Sequence, residues 1–273
     1  MVNPSAKPAA VARYSPWLAG WFRWYIRGYL RKHFHAVAIC REGRPAVAEG
    51  ERLVFYLNHA GWWDPLIAQF VAERFFPGRV VYAPFDAEAI ARYPLFERLG
   101  FFGVDQASRR GAAEFLRTAG AVLGEPAGSL WMTPEGRFCD PRDAAAEFEP
   151  GLAHLACKLA GDGGRPAVLT PLAIEYPFWE ERSPEALVRF GAPVRAAEFG
   201  EYTKQQMGAL LRGRLTDAQA ELARLSIARD GAAFEVLLGG AGGVGGVYDA
   251  FRRFKSRLAG AEHQTTHGQK LQT

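Results

Sequence analysis

The chain has 273 residues, 49% of them hydrophobic and 23% charged, which excludes a disordered polypeptide and supplies ample core for one large α/β domain or two small ones. A formal net charge of +4, with a pI near 9.0, suits a phosphate-bearing or anionic-surface partner and falls well short of a nucleic-acid argument. Three cysteines (Cys40, Cys139 and Cys157), odd in number and without CxxC spacing, exclude a disulfide framework and read as reduced thiols in a cytosolic compartment.

Residues 1–14 read as a loose tail, and Pro16 to His33 predicts a helix. Trp17, Leu18, Trp21, Trp24 and Tyr25 fall on one side, widened by Phe22, Ile26 and Tyr29, while Arg23, Arg27 and Arg31 form a separate stripe. A Trp-rich apolar face beside an arginine stripe suits a helix lying in a lipid interface; the competing reading is a helix packed on the protein's own core. Seven Trp, nine Tyr and nineteen Phe favour the interface, because such rings are stable where one end is dry and the other wet. No signal peptide is visible, and no uncharged apolar run approaches the roughly 18 to 20 residues that span a bilayer. The expected location is therefore peripheral, on the cytoplasmic face of a membrane.

Further along, β-rich apolar runs appear at residues 53–57, 80–83, 101–104, 129–132, 167–174 and 187–190, with helical patterns at 64–76, 107–123 and 151–160 between them. Unbroken apolar strands alternating with helices predict an α/β fold: a mostly parallel central sheet flanked by helices, with an N-terminal amphipathic membrane-surface helix and a long C-terminal helical region. The expected organisation is a tail and interfacial helix over 1–48, an α/β core over 49–200, a helical extension over 201–238, and 239–273 as a Gly-rich linker with a basic helix. The linker, GGAGGVGG at 239–246, lacks the strand, helix and Lys-Ser/Thr context of a phosphate loop. Beyond it Val247, Phe251, Phe254 and Leu258 share a helical face, with Arg252, Arg253, Lys255 and Arg257 around the rest, a second candidate for membrane or partner contact.

The chemistry follows the first core strand, in Asn58-His59-Ala60-Gly61-Trp62-Trp63-Asp64-Pro65. His59 falls in the turn after the strand, and Asp64 at the head of the next helix folds back toward the imidazole; Pro65 suits a first helical turn. A carboxylate on one ring nitrogen fixes the tautomer and leaves the other nitrogen free as a base. There is no GxSxG elbow and no suitably placed cysteine, so the nucleophile is expected from an acceptor hydroxyl rather than from the protein.

This string resembles the NHxxxxD motif of the glycerolipid acyltransferase family, which includes the bacterial 1-acylglycerol-3-phosphate acyltransferases. The resemblance implies that His59 is the general base and Asp64 its orienting partner. It further implies an acyl-CoA or acyl carrier protein donor, no cofactor or metal, a lipid acceptor, membrane lipids as partners, and no nucleic acid. The family's second block is a hydrophobic strand ending near a phosphate-binding arginine. Here the strand Leu99–Asp105 is followed by Gln106, and the nearest arginines, Arg109 and Arg110, lie one turn on, where they either reach an anion or are surface charges.

The third block, a Pro-Glu-Gly-Thr-Arg type string, is matched by Pro134-Glu135-Gly136-Arg137 without the threonine, and implies that Glu135, Gly136 and Arg137 help hold the acceptor. The alternative is a polar turn in which Glu135 pairs with Arg137. The fourth block, an apolar strand with an internal proline, looks like Val168–Ala173. The departure at Gln106 leaves open a phosphate-bearing acceptor or a lipid alcohol with another headgroup. Tyr14, Trp62 and Trp63 are candidate walls of an acyl groove, the two Trp alternatively packing under the motif turn. His33 with His35, and His263 with His267, lack a third ligand for a metal, and His154 reads as a core or interface histidine. The rival functions are a non-catalytic lipid-binding protein of this fold and a thioester or lipid hydrolase.

Overall fold

The computed structural model describes residue 11 and residues 13–240. Among these, nine strands form one mostly parallel sheet: β1 Ala36–Cys40, β2 Arg52–Leu57, β3 Val80–Asp86, β4 Phe101–Val104, β5 Gly128–Met132, β6 Ala167–Glu175, β7 Glu185–Phe190, β8 Val194–Arg195 and β9 Phe234–Gly239. The strand order is β4-β3-β5-β2-β6-β7-β1-β9, with β8 paired to β6. Strands β4, β3, β5, β2 and β6 are mutually parallel, as are β7 and β1, whereas β6–β7, β6–β8 and β1–β9 are antiparallel.

The helices are α1 Pro16–His33, α2 Asp64–Phe75, α3 Ala87–Arg92, α4 Arg109–Gly124, α5 Gly151–Gly161 and α6 Lys204–Ala228. Successive side chains of a strand point to opposite faces, and β2 shows the consequence. Val54 and Tyr56 join a core with Phe115 and Val122 of α4, Leu152 and Leu155 of α5, and Leu211 of α6. Leu53, Phe55 and Leu57 join one with Ile26 and Leu30 of α1 and Ile67 and Val71 of α2. Both sheet faces are thus covered, which is why β2 is buried at all six positions and residues 53–57 read as an unbroken apolar run.

The helix over Pro16–His33 packs Ala19, Ile26 and Leu30 onto the core while Trp17, Trp21 and Trp24 are exposed. Arg23 and Arg27 pair with Glu73 of α2. The α1 helix therefore has an inward apolar stripe distinct from its tryptophan face.

Several expectations are corrected. The helical stretch to Leu238 ends at Ala228: Arg229 turns left-handed at φ 50°, and Phe234–Gly239 is strand β9, paired with β1. Helix α6 is not an extension but packs on β6 and β7, burying Leu211, Leu215 and Leu222. Strand β1, within the segment read as tail and interfacial helix, is fully buried in the sheet. The fourth helix begins at Arg109 rather than Ala107, because Ser108 caps it by accepting the Gly111 N–H. The first two glycines of the supposed linker are structural. Gly239 ends β9, and Gly240 donates to the His35 carbonyl at 2.8 Å so closely that a Cβ there would sit 1.9 Å from the Phe34 carbonyl. The remainder of the linker and the basic C-terminal helix lie outside the described residues.

Candidate active site

At the carboxyl edge of the sheet, β2 ends at Leu57 and the chain turns before α2 starts at Asp64. Asn58 clasps that end to β6: its amide donates to the Ile174 carbonyl at 3.0 Å and accepts the Ile174 N–H at 2.8 Å. The turn then projects His59, whose Nδ1 lies 2.7 Å from Asp64 Oδ2. Asp64 is fully buried at the head of α2, and the same oxygen accepts the Gly61 N–H at 3.0 Å. Its other oxygen accepts the Tyr176 hydroxyl at 2.6 Å. An ionised carboxylate is acceptor-only, so a proton on Nδ1 would satisfy it and leave Nε2 without one.

Glu135, in the turn after β5, is 4% exposed, and one oxygen accepts the backbone N–H of His59 at 2.6 Å. Burial pushes its carboxyl above the usual range, and the His59 N–H holds it down in part. From the other side of the turn, the Cys139 N–H donates to the His59 carbonyl at 2.9 Å. The third block therefore grips the loop that carries His59 by its backbone, and the alternative reading of this turn, an ion pair of Glu135 with Arg137, is not formed among the described residues.

Gly136 has φ 65°, and a Cβ on it would lie 3.1 Å from Glu149 Cγ and 3.4 Å from Gln106 Oε1. The second and third blocks thus meet at Gln106 and Gly136. Arg137 is exposed and makes no hydrogen bond or ion pair with the described residues. Arg109 and Arg110 are exposed on the first turn of α4, Arg110 is engaged with Glu114, and neither lines a cavity at His59.

His59 lines two apolar spaces, which also share Pro65, Phe85 and Phe101. One, about 70 Å³, is bounded by Pro65, Ala68, Val81, Phe101, Trp131 and Gln69. The other, about 420 Å³, lies under α1, walled by Phe22, Tyr25, Tyr29, Trp62, Phe96 and Phe138. The Phe138 ring sits 4.3 Å from the imidazole. Trp62, 73% exposed, thus lines the groove, whereas Trp63 packs edge-on against Phe34 and Tyr176 under the motif turn. Tyr14 does neither: it contacts Tyr82 and lines a separate cleft.

The family model described as acyltransferase matches residues 24–175, more than half of the 273. The chain belongs to the acyltransferase family. Acyl transfer is accordingly its general activity, and the matched segment of this acyltransferase contains His59, Asp64, Glu135, Gly136 and Arg137. No curated protein matches the chain by sequence. Among the described residues of this acyltransferase, no helix is long and apolar enough to cross a membrane. Nor do three His, Cys, Asp or Glu side chains gather there to hold a metal ion.

Residues not singled out from sequence are Asn58, Tyr176, Gln69 and Phe138. Asn58 and Tyr176 sit at or just beyond the carboxyl ends of adjacent strands β2 and β6, where α/β sheets place working groups, and that position is the signal that identifies them. Gln69 and Phe138 carry no comparable signal.

Proposed function

We propose that this acyltransferase moves a fatty acyl group from a thioester, acyl-CoA or acyl carrier protein, to a hydroxyl of a lysophospholipid-like or related lipid acceptor. The observation that carries the reading is the His59–Asp64 pair at 2.7 Å facing apolar space on two sides. His59 Nε2 takes the proton of the acceptor hydroxyl as its oxygen bonds to the thioester carbonyl carbon. The carbon–sulfur bond then breaks, and the imidazolium returns the proton to the departing thiolate. Asp64 stabilises the imidazolium between those steps.

The apolar spaces take the acyl chain. Arg137, exposed beside the catalytic turn, grips an anionic headgroup in the fork geometry of a guanidinium, and a neutral Gln106 stands where the family pattern carries an arginine. Trp17, Trp21 and Trp24, 78%, 51% and 70% exposed on α1, hold the groove mouth at the cytoplasmic surface of a membrane, so the lipid acceptor enters without crossing water.

The test is thiol release from acyl-CoA and acyl carrier protein by wild type and His59→Ala, across lyso-phospholipids and lipid alcohols without phosphate. Release that requires both an acceptor and His59 supports the reading. Fatty acid released without a lipid product identifies a hydrolase, and lipid binding without thioester consumption a lipid-binding protein.

A further inference from the structure

Asp64 is fully buried, and the donors around it fix the plane of its carboxylate. Oδ2 receives two, His59 Nδ1–H at 2.7 Å and Gly61 N–H at 3.0 Å. Oδ1 receives one, the Tyr176 hydroxyl at 2.6 Å, from a residue 112 positions away in the chain. Without that bond the group is tethered at one oxygen only and is free to turn about its last torsion. The buried Oδ1 would also be left without a donor, a desolvated acceptor that no other described group satisfies. The Tyr176 hydroxyl is committed to donation, since burial and then the adjacent carboxylate push its ionisation well above the ordinary range.

The ring itself is clamped. It packs against Phe34 at 5.6 Å and against Trp63 at 5.4 Å, and the Gly61 turn rests on it, a Cβ there falling 3.6 Å from a ring carbon. Phe34 is wholly buried where α1 gives way to β1, and Trp63 immediately precedes Asp64, so the tyrosine is positioned by both ends of the motif and by the sheet. We infer that Tyr176 is a positioning residue for acyl transfer, fixing the Asp64 carboxylate so that His59 Nε2 points at the acceptor hydroxyl. The inference rests on the acyl-transfer reading above. Tyr176 touches neither reacting atom; it acts through Asp64, as the carboxylates that hydrogen-bond a metal-binding imidazole act through that ring.

The experiment compares wild type, Tyr176→Phe and His59→Ala in the thiol-release assay, with kcat and KM measured across pH and thermal melting in parallel. Phe keeps the ring contacts and removes only the hydroxyl. The expected result is a kcat for Tyr176→Phe lower by about 10- to 100-fold with both KM values unchanged. If His59→Ala is inactive while Tyr176→Phe keeps the wild-type kcat, with or without a lowered melting temperature, the tyrosine is structural and the inference is overturned. If wild type transfers no acyl group, or His59→Ala is as active as wild type, the acyl-transfer reading itself fails and takes the inference with it.

Discussion

One carboxylate oxygen of Glu135 accepts the backbone N–H of His59 at 2.6 Å, joining the turn after β5 to the turn after β2. Parallel pairing of β2 and β5, with Tyr56 opposite Met132, brings the two turns side by side. This bond offsets part of the cost of burying Glu135. It also makes the residue a brace for His59 besides any contact with an acceptor.

Glu135→Gln keeps an acceptor for the His59 N–H, whereas Glu135→Ala leaves that N–H without one. We expect Gln to retain activity within about 10-fold of wild type and Ala to fall by a further 10-fold or more, as for loss of a buried hydrogen bond to a charged group worth about 1.5–3 kcal/mol. Equal kcat values for the two variants would remove the brace from the account.

Asp64→Asn places an amide where Gly61 N–H, Tyr176 O–H and His59 Nδ1–H all need an acceptor. At least one donor is then opposed by another, and the imidazole is driven toward the wrong tautomer. A fall in kcat of about 10⁴-fold is the measure of such a change in a His–Asp pair. Steady-state assay of the folded variant checks it, and a loss smaller than about 10-fold would show that the carboxylate is not what orients His59.

Gln69, 8% exposed, lines both the small cavity at His59 and the 370 Å³ cleft, with no hydrogen bond to a described residue. Gln69→Ala should join the two spaces and shift acyl preference toward longer chains. Relative kcat/KM for a long over a medium acyl donor should rise about 10-fold, the discrimination of roughly one methylene in an apolar pocket. An unchanged chain-length profile would place the acyl chain elsewhere.

His35 is buried with Nδ1 2.6 Å from Glu185 Oε1, and that hydrogen bond, opposed by burial, raises its ionisation above the ordinary 6.5, with Glu181 adding in the same direction. A histidine raised on folding stabilises the native state below its unfolded value, and the contribution disappears as pH rises through the folded one. The melting-temperature advantage of wild type over His35→Gln should be largest below about pH 6 and shrink with rising pH. A difference independent of pH would mean that His35 is neutral throughout.

Replacing Trp17, Trp21 and Trp24 together by Ser should weaken co-sedimentation with anionic vesicles by at least about 100-fold, since each large ring contributes roughly 1.5–3 kcal/mol when buried. The three side chains are exposed, so melting temperature should stay near wild type. Undiminished vesicle binding would remove α1 from the membrane contact.

The linear chain by itself determined the α/β class, most of the strands, the α1 helix and the pairing of His59 with Asp64. All of these depend on short-range order: apolar runs, helical spacing, and five positions of separation at a strand end. It did not reveal β1 or β9. Each is a short apolar piece beside a strongly helical segment, and their mutual pairing spans nearly the whole described chain. Nor did it show that Glu135 holds the backbone of His59, that Gln106 meets Gly136, or that Tyr176 completes the surroundings of Asp64. Those contacts join residues 30 to 112 positions apart, brought together only because parallel strands end at one edge of the sheet. The sign of the environment was likewise a tertiary matter: Trp62 and Trp63 are neighbours in sequence, yet one lines the groove and the other packs beneath the turn. Local pattern names the elements and their periodicity; which side chains share a site is decided by the order in which strands hydrogen-bond.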